Sequence, residues 1–134
     1  MPVQMKDLVN ESLAELEMDA RLTTKLLVGF IRDEVSKVGM EKIVIGLSGG
    51  IDSALSAFLA AQAMGPENVW GICMPYRLSN PQSEADAREV AKACGITFKR
   101  VKITPQVDAY FDKYPDATNL MARNYDEILA SKLA

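Results

Sequence analysis

The feature that most constrains the fold is the run Ile43-Val44-Ile45-Gly46-Leu47-Ser48-Gly49-Gly50-Ile51-Asp52-Ser53-Ala54-Leu55. An apolar, β-branched stretch breaks into a glycine pair and resumes with helix formers, so it reads as strand, loop and helix. Such a unit carries the loop to the carboxyl edge of a sheet, where adjacent glycines allow backbone angles and close approaches closed to residues with a Cβ. The loop exposes N–H groups, and the helix behind it adds unpaired N–H groups and the positive end of its dipole. The combination predicts an anion cradle, with Ser48 and Ser53 contributing hydroxyl donors. A carboxylate at Asp52 repels phosphate oxygens unless a cation lies between them. Magnesium commonly takes one or two carboxylates together with phosphate oxygens, which makes Asp52 the candidate Mg2+ ligand.

The rest of the chain alternates in the same way. Strands are expected at 42–47, 68–74 and 97–103, with helices at 52–64 and 82–94 between them. Turns at Gly65-Pro66-Glu67-Asn68 and at Cys94-Gly95-Ile96 fall where crossovers end. The fold class is therefore α/β, a parallel three-stranded sheet flanked by helices with a helical amino-terminal leader. The first strand is apolar almost throughout, as expected of one covered on both faces. In the leader, residues 1–39, Leu8, Leu13 and Leu16 and then Leu22, Leu26, Leu27, Phe30, Ile31 and Val35 recur at helical spacing. This predicts two helices, or one with a bend, with Asp7 or Asp19 as a cap and Gly39 as the stop. The apolar stripe suits either a core-facing surface or a subunit interface. A short helix at 106–111 and a last helical segment at 119–133 complete the expectation.

Several chemistries are excluded by composition. The 134 residues carry a net charge of −3, without the clustered Lys and Arg that nucleic-acid binding draws on. Histidine is absent, which removes Ser-His-Asp and Cys-His nucleophilic systems and the commonest neutral-pH base. Cys73 and Cys94 lack CxxC spacing and read as buried thiols. No signal peptide opens the chain and no apolar run is long enough to span a bilayer, so the expected location is cytoplasmic with no membrane partner. Any chemistry must rest on positioning, metal and charge, and no residue is assigned as a catalytic nucleophile or base.

The loop fails the Walker pattern, since no lysine follows Gly50, and it fails GxGxxG by spacing. It resembles instead the SGGxDS signature of the PP-loop ATP pyrophosphatases, which grip ATP by its pyrophosphate and activate a carboxyl or carbonyl oxygen as an adenylate. A second motif lies at the end of the second strand, Gly71-Ile72-Cys73-Met74-Pro75-Tyr76-Arg77. It places residues 74–77 at the same carboxyl edge. Met74 and Tyr76 offer flat or soft apolar surface for a purine, and Arg77 suits either stacking on the ring or approach to a phosphate.

Together with Ser83-Glu84-Ala85-Asp86-Ala87 and the leucine-rich leader, these motifs resemble the amino-terminal half of ammonia-dependent NAD synthetases over residues 20–123. The resemblance implies a truncated adenine-nucleotide α-hydrolase-like fold, in which 1–134 is a single, incomplete PP-loop ATP-binding domain and the leader packs across a homodimer interface. It implies that Gly46, Leu47, Ser48, Gly49, Gly50, Ile51, Asp52 and Ser53 bind ATP, that Asp52 holds Mg2+, and that Met74 and Arg77 lie near adenosine. Asn119-Leu120-Met121-Ala122-Arg123 is similar to the family's GNxxAR segment, which makes Arg123 the residue facing deamido-NAD. The segment departs from the pattern at Thr118, at Pro115-Asp116-Ala117 before it, and at Asn124-Tyr125-Asp126-Glu127 after it. The implied partners are ATP, deamido-NAD and ammonia, joined through an adenylate with release of AMP and pyrophosphate. Two other functions share the loop, a different PP-loop adenylating enzyme and a non-catalytic ATP-binding or dimerisation module.

Overall fold

The computed structural model of the chain describes residues 4–77 and 80–116. The leader is two helices, α1 (Met5–Glu15) and α2 (Ala20–Lys37). The break between them has a local cause: Asp19 has extended backbone, and its carboxylate accepts the Leu22 N–H at 3.0 Å, which starts α2 afresh. Asp7, the other expected cap, lies inside the first turn of α1. Three parallel strands follow, β1 (Ile43–Gly46), β2 (Val69–Cys73) and β3 (Thr97–Arg100), in the order β1-β2-β3. They alternate with α3 (Ile51–Met64) and α4 (Pro81–Cys94), and α5 (Thr104–Lys113) comes after β3. The strands are shorter than expected at their ends, but Val101 N–H and Ile103 N–H still bond to the carbonyls of Cys73 and Pro75, extending the β2–β3 pairing toward α5.

Because the strand order advances in one direction, right-handed crossovers set α3 and α4 side by side on one face. α3 packs on β1 and β2, α4 packs on β2 and β3, and the two helices touch. Their contact surfaces are small: Ala57, Ala60 and Ala61 of α3 and Ala87 and Ala91 of α4 are buried. Small side chains let the helices sit close to the sheet, where they enclose Val69, Cys73, Leu47 and Ile96. Gly71 lies between Ile45 and Phe98 in the sheet register, and a Cβ there would come within 2.6 Å of Leu47 Cδ1. The position is glycine because the Leu47 and Ile96 side chains already fill its space.

The opposite face of the sheet differs from the expectation of double coverage. Val44 is 71 % exposed, beside Trp70 and then Thr97 in register. With both crossover helices on one side, the described elements bury Ile43 and Ile45 only in part and leave Val44 outward. The leader is joined to this body through α2, which packs against α3. Arg32 Nε donates to the Ala63 carbonyl at 3.0 Å, satisfying an acceptor in the last turn of α3. No residue of α2 is buried; Leu26 is 65 % and Phe30 is 61 % exposed. The segment expected to be helical at 119–133 lies outside the described residues.

Candidate functional site

β1 delivers its chain to the carboxyl edge of the sheet, where Leu47 N–H bonds to the Ile72 carbonyl at 2.8 Å and its side chain enters the core. The anchored Leu47 turns Ser48 outward. From Ser48 to Ser53 the loop is closed by its own hydroxyls. Gly50 N–H donates to Ser48 Oγ at 3.1 Å, Ser53 Oγ donates to the Gly50 carbonyl at 3.2 Å, and the two hydroxyl oxygens lie 3.1 Å apart. Together with Gly50 the two hydroxyls close a ring of hydrogen bonds, in which either serine can donate to the other. Ser48 N–H also donates to Ser53 Oγ at 3.2 Å. The serine hydroxyls, expected to be donors to an anion, also tie the loop to itself.

The donors left for an anion are backbone amides. The first i→i−4 bond of α3 runs from Ala54 N–H to the Gly50 carbonyl. The N–H groups of Ile51, Asp52 and Ser53 precede it, and with that of Gly49 they bond to no acceptor among the described residues. Gly49 has φ +83°, and a Cβ on it would stand 2.4 Å from the Ser83 carbonyl oxygen in the first turn of α4. The loop is thus wedged between the start of α3 and the start of α4. Its amides lie at a helix amino terminus, where partial positive charge favours an anion.

Asp52 stands in the first turn of α3, exposed, and no donor among the described residues engages its carboxylate. No cluster of three or more His, Cys, Asp or Glu occurs among the described residues. A lone carboxylate beside unused backbone amides at a helix amino terminus fits magnesium, an ion that takes one or two carboxylates together with phosphate oxygens and water.

The second motif lies against the first. Met74 is half exposed, and its Cε would be 3.5 Å from a Cβ built on Gly46. Arg77 turns to α5 instead, where it pairs with Asp108, and Tyr76 Oη donates to the other oxygen of that carboxylate at 3.1 Å. Desolvation, followed by the Asp108 hydrogen bond and charge, pushes the Tyr76 phenol up from its ordinary value. Asp108 was not among the expected site residues: it sits in an ordinary amphipathic helix, 31 positions from Arg77. Nearby, Glu84 joins the first turn of α4 to the end of β3 by accepting from Arg100 Nε at 2.7 Å. Arg123 lies outside the described residues.

The NAD synthase family profile matches residues 23–128. The chain belongs to the NAD synthase family. It is 59% identical over 112 residues to the NH3-dependent NAD+ synthetase of Trichlorobacter lovleyi, a match covering 84% of this chain and 41% of that protein. Among solved structures, the NH3-dependent NAD synthetase of Campylobacter jejuni, in complex with nitrate, aligns with a TM-score of 0.69 at 31% identity. That alignment covers 86% of this chain and 52% of the other. The glutamine-dependent NAD+ synthetase of Acinetobacter baumannii, in complex with adenosine diphosphate, aligns with a TM-score of 0.63 at 40% identity, over 66% of this chain and 17% of that one. The chain spans about 41% of the length of its Trichlorobacter relative. Among the described residues, no helix is long and apolar enough to cross a membrane.

Proposed function

We propose that this chain is the ATP-gripping part of an ammonia-dependent NAD synthetase. The observation that carries the reading is the hydroxyl-locked loop with its unused amides at Gly49, Ile51, Asp52 and Ser53. Residues 46–53 hold the phosphates, Met74 and Arg77 border adenosine, and Arg123 meets deamido-NAD. In the reaction, the nicotinate carboxylate of deamido-NAD attacks the α-phosphorus of ATP and pyrophosphate leaves; ammonia then displaces AMP to give the amide. No protein nucleophile is needed, because orientation and charge stabilisation supply the rate. Asp52 holds Mg2+, which when bound neutralises charge on the phosphate oxygens. The chain's own contribution is a preformed donor set that needs no rearrangement as charge shifts onto the departing pyrophosphate.

The described residues belong to one PP-loop ATP-binding domain, cytoplasmic, with the helical leader at a homodimer interface. The exposed Leu22, Leu26 and Phe30 of α2 support that interface. A second reading, an ATP-binding module without turnover, draws on the outward Val44 face of the sheet. Incubation with ATP, Mg2+, deamido-NAD and ammonium separates the two. Pyrophosphate formation dependent on deamido-NAD supports the synthetase; ATP binding without pyrophosphate leaves the module, and absence of ATP binding refutes both.

A further inference from the structure

Asp108 lies on α5, outside every motif that marks the loop. Its carboxylate is divided between neighbours in the segment after β2: Oδ1 accepts the Tyr76 O–H at 3.1 Å and Oδ2 accepts from Arg77 Nη2. The backbone reinforces the contact, because Val101 N–H to the Cys73 carbonyl at 2.8 Å and Ile103 N–H to the Pro75 carbonyl at 3.1 Å run alongside it. The start of α5 is thereby tied to the segment that carries Tyr76 and Arg77.

This pairing changes what Arg77 can do. A guanidinium facing a carboxylate has its charge largely answered and its donors partly occupied, which makes it a poor phosphate ligand. Its flat face is unaffected. The Arg77 side chain is 59 % exposed, and its guanidinium carbon lies 6.0 Å from the Tyr76 ring centroid. A planar cation fixed along one edge is a stacking surface for a flat π system.

We propose that Asp108 is a positioning residue that holds Arg77 as a stacking platform for the adenine base of ATP, rather than as a phosphate contact. This rests on the assignment of residues 46–53 and 74–77 to ATP, and it chooses between the two roles that Arg77 could take there.

Titration calorimetry on the full chain tests it with two probes, Mg-ATP and inorganic tripolyphosphate, which carries the phosphates without the base. Asp108→Asn keeps the size of the side chain and an acceptor for Tyr76 but removes the charge that fixes Arg77. The expected result is an ATP affinity about two- to five-fold weaker with tripolyphosphate affinity unchanged. Arg77→Ala and Arg77→Lys should show the same split, since lysine keeps the charge but loses the plane, and Arg77→Ala with Asp108→Asn should be no weaker than Arg77→Ala alone. Unchanged ATP affinity in Asp108→Asn, equal losses for both probes, or additive losses in the double variant would overturn the proposal. A parent chain that binds neither probe refutes the loop assignment and this inference with it; one that binds both with equal affinity refutes this inference alone.

Discussion

Replacing Gly49 by alanine isolates the close approach that gives the loop its shape. Two costs add. With φ at +83°, an alanine enters the left-handed region, at about 1–2 kcal/mol. Its Cβ would also stand 2.4, 2.9 and 3.0 Å from the carbonyl oxygen, Cα and carbonyl carbon of Ser83, all backbone atoms, so no rotamer change relieves the overlap and α4 must back away. Overpacking of that kind costs about 1–3 kcal/mol. The stiffer unfolded chain of the alanine variant offsets about 0.4–1 kcal/mol. The net expectation is a destabilisation of about 1–5 kcal/mol, a large part of the stability of a small domain.

Gly29→Ala supplies the opposite case. Gly29 lies inside α2, and a Cβ there meets nothing within 4 Å, so the same chemical change should stabilise by about 0.5–1 kcal/mol. Urea unfolding followed through Trp70, the chain's single tryptophan and a residue of the central strand β2, reads both. A Gly49→Ala midpoint at or above the parent's would refute the reasoning. Equal losses in both variants would show that chain stiffness or helix propensity, not the contact with Ser83, governs the effect.

Asp52→Asn should leave the urea midpoint within about 0.5 kcal/mol of the parent, because the carboxylate has no partner among the described residues, yet abolish the gain in ATP affinity on adding Mg2+; retention of that gain in calorimetry removes Asp52 from the metal site. Ser53→Ala breaks the hydroxyl ring and strands Ser48 N–H, for a loss of about 1–2 kcal/mol in stability and weaker tripolyphosphate binding, and unchanged tripolyphosphate affinity would mean the ring does not shape the amide cradle. Arg32→Ala should cost about 1–2 kcal/mol by uncapping the Ala63 carbonyl, read in the same unfolding assay. Burial pushes the thiols of Cys73 and Cys94 up, with the Glu84 charge adding to the effect at Cys73. Because the unfolded thiols ionise first, their contribution to stability is complete below the unfolded pKa and is lost as pH rises from there through the folded value. The urea midpoint should therefore fall between about pH 7.5 and about pH 9.5, and it should fall less in Cys73→Ala; an equal fall in both chains would clear Cys73 of the effect.

The parts of the fold legible in the sequence were those encoded locally. The run from Ile43 to Asp52 specifies strand, turn and helix through residues that touch one another, and Asp19 starts α2 through a bond spanning three positions. What escaped detection depends on contacts that no short window holds. Gly49 needs to be glycine because Ser83 lies against it, and Arg77 is steered by Asp108 on another helix; neither pairing leaves a periodic or compositional mark. The serines show the same division at finer scale, since their presence in the loop is readable while the bonds that tie them to each other and to Gly50 exist only in the folded loop. Val44 reverses the case. An apolar strand reports the coverage of both its faces in whatever body it finally joins, whereas the order β1-β2-β3 sends both crossover helices to one side. Alternation of strands and helices along a chain does not contain that spatial order, so the apolar pattern predicted a covered face and the described elements left it open.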